Sequence, residues 1–131
     1  MTILDIVEKT YALWGEAVSK KVGDNYSMED STTIASLPYA TLMFLGLPTN
    51  SSDLEGAECS VVPTVQVSVY TKGQRALTQV YEIDAVSHET LTGLGYRRIY
   101  GPEPTDATDP SIKRLLSRYS RVIGYGDTYA E

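Results

Sequence analysis

The sequence predicts an α+β fold: a mostly antiparallel sheet of about four strands packed against two helices. Two observations predict it. Residues 3 to 19 repeat apolar side chains at spacings of three and four, the signature of an amphipathic helix. The stretch Val65 to Ile123 then reads as strand, basic turn, helix, glycine stop, strand, proline loop and arginine-rich segment, each piece with its own period and punctuation. At 131 residues the chain has the size of one domain with one core.

The first helix places Leu4, Val7, Tyr11, Trp14 and Val18 on one stripe. Thr2 is its candidate cap, with Asp5 at the capping-box position. Lys20 and Lys21 sit where cations favour a helix C-terminus, and Gly23 stops it. Residues 22 to 37 hold no sustained period and many turn formers, so they read as a long flexible loop with room for a short strand. The apolar run between Pro38 and Pro48 reads as a largely buried strand, with Tyr39, Thr41, Met43 and Leu45 on one face and Ala40, Leu42 and Phe44 on the other. Residues 48 to 58 are a polar connection.

A second strand spans about 61 to 71, with Val65, Val67 and Val69 toward the core and Thr64, Gln66, Ser68 and Tyr70 away from it. Pro63 belongs at its start or at an edge. After the turn at Lys72 and Gly73, a helix over about 75 to 93 buries Ala76, Val80, Ile83, Leu91 and Leu94, and Gly93 and Gly95 mark its end. Residues 96 to 100 form a short strand. Residues 101 to 110, with Pro102, Pro104 and Pro110, read as a loop. Segment 111 to 124 fits two templates. Ile112, Leu115, Leu116, Tyr119, Val122 and Ile123 make a helical stripe, and the alternative, a strand over about 114 to 124, is the reading that the resemblance given below implies and that is taken. The tail at 125–131 is polar and expected to fray.

Composition narrows the function. A net charge of -6 disfavours general attraction to nucleic acid. One cysteine, Cys59, excludes a disulfide framework within the chain. The N-terminal MTILDIVEK lacks the basic n-region of a signal peptide, and the apolar runs fall far below the ~20 residues that span a bilayer. A protein of a reducing compartment, with no membrane partner, is expected. The one histidine, His88, lies four residues from Asp84, which reads as ordinary pairing on a helix surface. No motif sets a base beside Cys59, and no residue set has zinc, calcium or P-loop spacing. Gly93-Leu94-Gly95 ends a helix, the wrong way round for a phosphate cradle. The ten tyrosines suit base stacking in principle, but the acidic balance favours core and interface roles. No catalytic, cofactor or metal site emerges, and a protein that is not an enzyme is expected.

Charge is unevenly placed. Residues 22 to 62 carry Asp24, Glu29, Asp30, Asp53, Glu55 and Glu58 with no lysine or arginine. Residues 97 to 121 carry Arg97, Arg98, Lys113, Arg114, Arg118 and Arg121 against three acids. Either this is solvated surface charge, or it provides complementarity between copies or with a partner.

YTKG at 70–73, YEIDAVSHETLTGLGYRRIYG at 81–101 and IKRLLSRYSRVI at 112–123 resemble the C-terminal half of tail-terminator and head–tail joining proteins of long-tailed bacteriophages. The N-terminal helix and PYATLMFLGLP are similarly placed in that family, so the resemblance runs over about 1 to 124 and is clearest over 65 to 123. It implies a single such domain over 1–131 and a strand at 111–124 paired with 96–100. It also implies a virion protein, made in the bacterial host cytoplasm, that forms a homo-oligomeric ring, usually a hexamer, at the head-proximal end of the tail. The ring ends polymerisation of the tail-tube protein and meets the head connector and neck proteins, with DNA only passing through its lumen. No cofactor is implied. Physically, an exposed strand edge can pair head to tail until rotation closes a ring, and opposite charges can set its register. The candidate contact residues are Arg97, Arg98, Arg114, Arg118 and Arg121 against Asp53, Glu55 and Glu58. A connector-side neck protein is the alternative, followed by a small α+β binding protein, enzyme or interaction domain of cellular origin.

Overall fold

The structure is a computed structural model of the chain, and it describes residues 3–28, 37–46, 62–106 and 111–123. Helix α1 spans Ile3–Val22 and helix α2 spans Ala76–Gly93. The strands are β1 (Tyr26–Ser27), β2 (Tyr39–Gly46), β3 (Thr64–Lys72), β4 (Arg97–Asp106) and β5 (Ile112–Ser120). They form one mixed sheet in the order β1-β2-β3-β5-β4, in which β1 runs parallel to β2 and every other pair is antiparallel. The expected class therefore holds, with a fifth strand of two residues added inside the segment read as loop. The expectations for Thr2 and for the tail lie outside the described residues, as do those for most of the acidic segment.

Both helices cover the same face of the sheet. α1 rests on β1, β2 and α2, and α2 rests on β3, β5 and β4. Because β3 and β4 flank β5 antiparallel to it, they run parallel to each other, and α2 is the crossover between them. The last strand returns between the two and closes a split βαβ unit. The core fills the space beneath the helices. Val65, Val67 and Val69 supply the β3 part, Ala40 and Leu42 the β2 part, and Leu115 and Tyr119 the β5 part, against Ile6, Trp14 and Val18 of α1 and Val80, Ile83 and Leu91 of α2. The expected register of β2 and β3 is the observed one.

Three details differ from the expectation. The buried stripe of α1 is Ile6, Thr10, Trp14, Val18 and Val22, while Leu4 stays 62% exposed. Thr10 is tolerated in the core because its hydroxyl hydrogen-bonds the Tyr96 hydroxyl at 3.2 Å. Gln66, Ser68 and Tyr70 face away from the helices as expected, yet they too are buried. β4 continues through Pro102 and Pro104, where a loop was expected. It pairs on one side only, so a residue without an N–H is admissible there, and its register shifts twice, between Arg98 and Tyr100 and between Tyr100 and Glu103. Gly101 sits at the second shift with φ +83, and a Cβ there would collide with the Leu116 carbonyl oxygen. The strand reading of 114 to 124 holds, over residues 112 to 120, and this strand pairs with β3 as well as with β4.

The end of α2 is fixed by a Schellman motif. The Tyr96 N–H donates to the Leu91 carbonyl and the Gly95 N–H to that of Thr92, with Gly95 at φ +91. This stop turns the chain directly into β4.

Two substitutions test the layer assignment. Val67→Asp puts a charge at a position 1% exposed in the central strand and is expected to abolish cooperative thermal unfolding. Leu77→Asp, at 58% exposure on α2, is expected to change stability by no more than about 0.5 kcal/mol in urea titrations.

Candidate functional site

Alternation along β5 decides where the arginines go. Leu115, Ser117 and Tyr119 face the helices, so Arg114, Leu116 and Arg118 face the opposite, outer side of the sheet. Register places Arg97 across from Ser120 on that same side, and Arg98 across from Tyr119 beneath α2. Arg121 follows the strand and donates to the Leu94 carbonyl, one of the acceptors left at the end of α2. The five candidate arginines are therefore not one patch. Arg97, Arg114 and Arg118 belong to the outer face, and Arg98 and Arg121 bind within the chain. Asp53, Glu55, Glu58 and Cys59 lie outside the described residues.

Arg98 anchors a polar network in the core. Its Nη2 meets Asp84 Oδ2 at 2.9 Å and the Tyr119 hydroxyl at 2.7 Å, and its Nε reaches that hydroxyl at 3.1 Å. Asp84 is 6% exposed and also accepts from Ser117 Oγ at 3.2 Å. The Tyr119 hydroxyl receives two N–H bonds from Arg98, which leaves its own proton to donate to Nδ1 of His88, 3.0 Å away. The expected surface pairing of His88 with Asp84 is thus replaced. Asp84 turns inward to Arg98 and His88 leans on Tyr119, because the helix face that carries Asp84 is the one packed on β5. A parallel link joins the helices, where Trp14 Nε1 donates to Ser87 Oγ at 2.9 Å. Asp84 and Ser87 could have been flagged from the sequence, because they share the stripe of Val80 and Leu91.

Among the described residues the network is connected through its own members. Among the described residues, no three histidine, cysteine, aspartate or glutamate side chains are placed to hold a metal ion. No helix there is long and apolar enough to cross a membrane.

The outer face is built differently. Arg114 lies over the Tyr70 ring at 5.5 Å and Arg118 over the Tyr100 ring at 5.2 Å. Arg118 Nε also donates to Gln66 Oε1 at 3.0 Å. Arg114 and Arg118 lie across from Tyr70 and Gln66, and both of these are buried although neither described helix packs on this face. Two poorly exposed hydroxyls of this face, Ser68 Oγ and Thr105 Oγ1, have no hydrogen-bond partner. Tyr100 donates to Glu103. Chemically, the face presents guanidinium groups on aromatic supports, which suits anionic partners.

Among the described residues the two sheet edges differ. β1 covers only Ala40 and Thr41, and β4 offers an edge interrupted by two prolines and two register shifts.

No protein-family model and no curated protein sequence matches the chain. Among solved structures it is similar to a chain of the "Virion of native gene transfer agent (GTA) particle". The TM-score is 0.59 and the identity 12%, over 86% of this chain and 92% of that one. At that identity the likeness defines the fold: this chain has the α+β fold of a virion-particle subunit of nearly the same length.

Two measurements test the buried network. Arg98→Met leaves the Asp84 carboxylate buried without its counter-ion and is expected to cost about 3–5 kcal/mol in urea unfolding, with most of the loss recovered in Asp84→Asn/Arg98→Met. Burial pushes the Tyr119 hydroxyl up to about 12, with Asp84 adding to the rise and Arg98 opposing it. The unfolded chain releases this proton near pH ~10 while the native state keeps it, so native stability is full below pH ~10 and falls as pH climbs toward ~12. The expected loss is about 2–3 kcal/mol, and Tyr119→Phe should remove that slope from the pH dependence of unfolding.

Proposed function

We propose that this chain is a structural subunit of a phage-type virion. It forms a ring at the head-proximal end of the tail, ends polymerisation of the tail tube and joins the tail to the head connector. One observation carries the reading: the fold is shared, over 86% of this chain and 92% of the other, with a subunit of a virion particle. The tail-terminator resemblance of 81–101 and 112–123 supplies the finer role. The face chemistry suits it, since stacked arginines on an otherwise acidic chain favour association of unlike surfaces, and unlike surfaces close rings. With β4 guarded by prolines, contact between subunits runs through side chains of the outer face rather than through β4 strand addition. The proposed role requires no cofactor, metal or catalytic residue.

A stop codon early in the gene of the encoding phage tests the role. Heads are expected to fill with DNA, and tails to be unattached and irregular, often excessive, in length under the electron microscope. Free tails of normal length would instead assign the chain to the connector side of the neck.

A further inference from the structure

We propose that Arg118 is a pre-oriented carboxylate receptor, and that its ligand is an acidic side chain of a second copy of this chain. The inference rests on the ring reading above and names the contact that would build the ring.

The guanidinium is held in place before any partner arrives. Its Nε is committed to Gln66 Oε1 at 3.0 Å, and its carbon lies 5.2 Å from the centre of the Tyr100 ring. Gln66 is itself buried on the central strand β3, so the anchor is rigid. With Nε used, the Nη1/Nη2 edge remains, a planar fork that matches the two oxygens of a carboxylate. Holding a long side chain in its bound geometry removes much of the ordering cost that ordinarily cancels surface ion pairs. Arg118 is exposed, and none of its contacts among the described residues is with a carboxylate. Glu103, the acid placed beside it across β4, already accepts from the Tyr100 hydroxyl. Arg97, also exposed, shares this face and extends its positive charge toward the far end of β5. The Thr105 hydroxyl on the same face still lacks a hydrogen-bond partner.

Charge selects the occupant. A chain with net charge -6 repels a polyanion, which disfavours nucleic acid. A second copy, though also at -6, concentrates its acids, with six and no cation between residues 22 and 62, so that segment can meet the local positive stripe while the remaining surfaces stay apart. One surface then binds a different surface of the next subunit, which is the heterologous arrangement that generates rings.

The experiment measures association of the purified full chain by sedimentation velocity over a range of salt, for wild type, Arg118→Lys and Arg118→Glu, with thermal melting as the control for folding. Wild type is expected to associate, and to do so less at high salt. Arg118→Lys keeps the charge but loses the fork and the stacked plane. It is expected to melt like wild type and to associate about tenfold more weakly. Arg118→Glu should associate more weakly still. Lysine equal to wild type would overturn the receptor, and would turn attention to the β2 edge between Leu42 and Gly46. A wild type that stays monomeric at every salt concentration would overturn it as well. So would a short single-stranded oligodeoxynucleotide that binds wild type but not Arg118→Lys, because the occupant would then be a polyanion. Tail lengths in the stop-codon phage test the ring reading independently, so the receptor can fail while that reading stands.

Discussion

Strand β5 is hydrogen-bonded on both edges, and that constraint governs most of what the molecule can do. A strand locked between β3 and β4 cannot slide by one residue, because a single step would exchange its two faces and send Leu115 and Tyr119 outward. Each of its side chains is therefore committed to the helices or to the open side. Arginines spaced four apart, at 114 and 118, necessarily share the outer face, while the tyrosine between Arg118 and Arg121 must go inward. The same parity brings Arg98 under α2 to meet Asp84.

The two faces solve the problem of polar residues differently. Inside, charge is matched by charge, and every hydrogen-bonding atom of the Asp84–Arg98–Tyr119 cluster named above has a partner within the fold. Such a cluster adds less to stability than an apolar replacement of similar volume could, but it fixes how α2 seats on β4 and β5. Outside, the cations are balanced by aromatic faces and by an amide. Aromatic contact orients a guanidinium without neutralising it, so the positive potential stays available.

Much of the fold was legible in the sequence, and the places where it was not have local causes. β2, β3 and both helices carry one-sided patterns, and their faces followed, apart from a rotation of the α1 stripe that brings Thr10 inward, where it hydrogen-bonds Tyr96. β5 was ambiguous because a central strand buries residues on both faces. Leu115 and Leu116 are both in the interior, which erases the period of two and leaves a spacing that also fits a helix. β4 was cut short at Pro102 because a proline signal carries no information on whether its strand lies at an edge. The candidate surface was half legible. Counting arginines located the charge, but only the register divides 97, 114 and 118 from 98 and 121. Asp84 looked like a surface acid because its partner is fourteen residues away across a turn.

The prolines of β4 have a consequence for the life of the free protein. Unfinished sheet edges are where soluble chains recruit one another into fibrils. Two residues without an amide hydrogen, set in a strand whose register slips twice, deny the next chain a continuous ladder on that side. β4 is therefore a poor template for the strand of another chain.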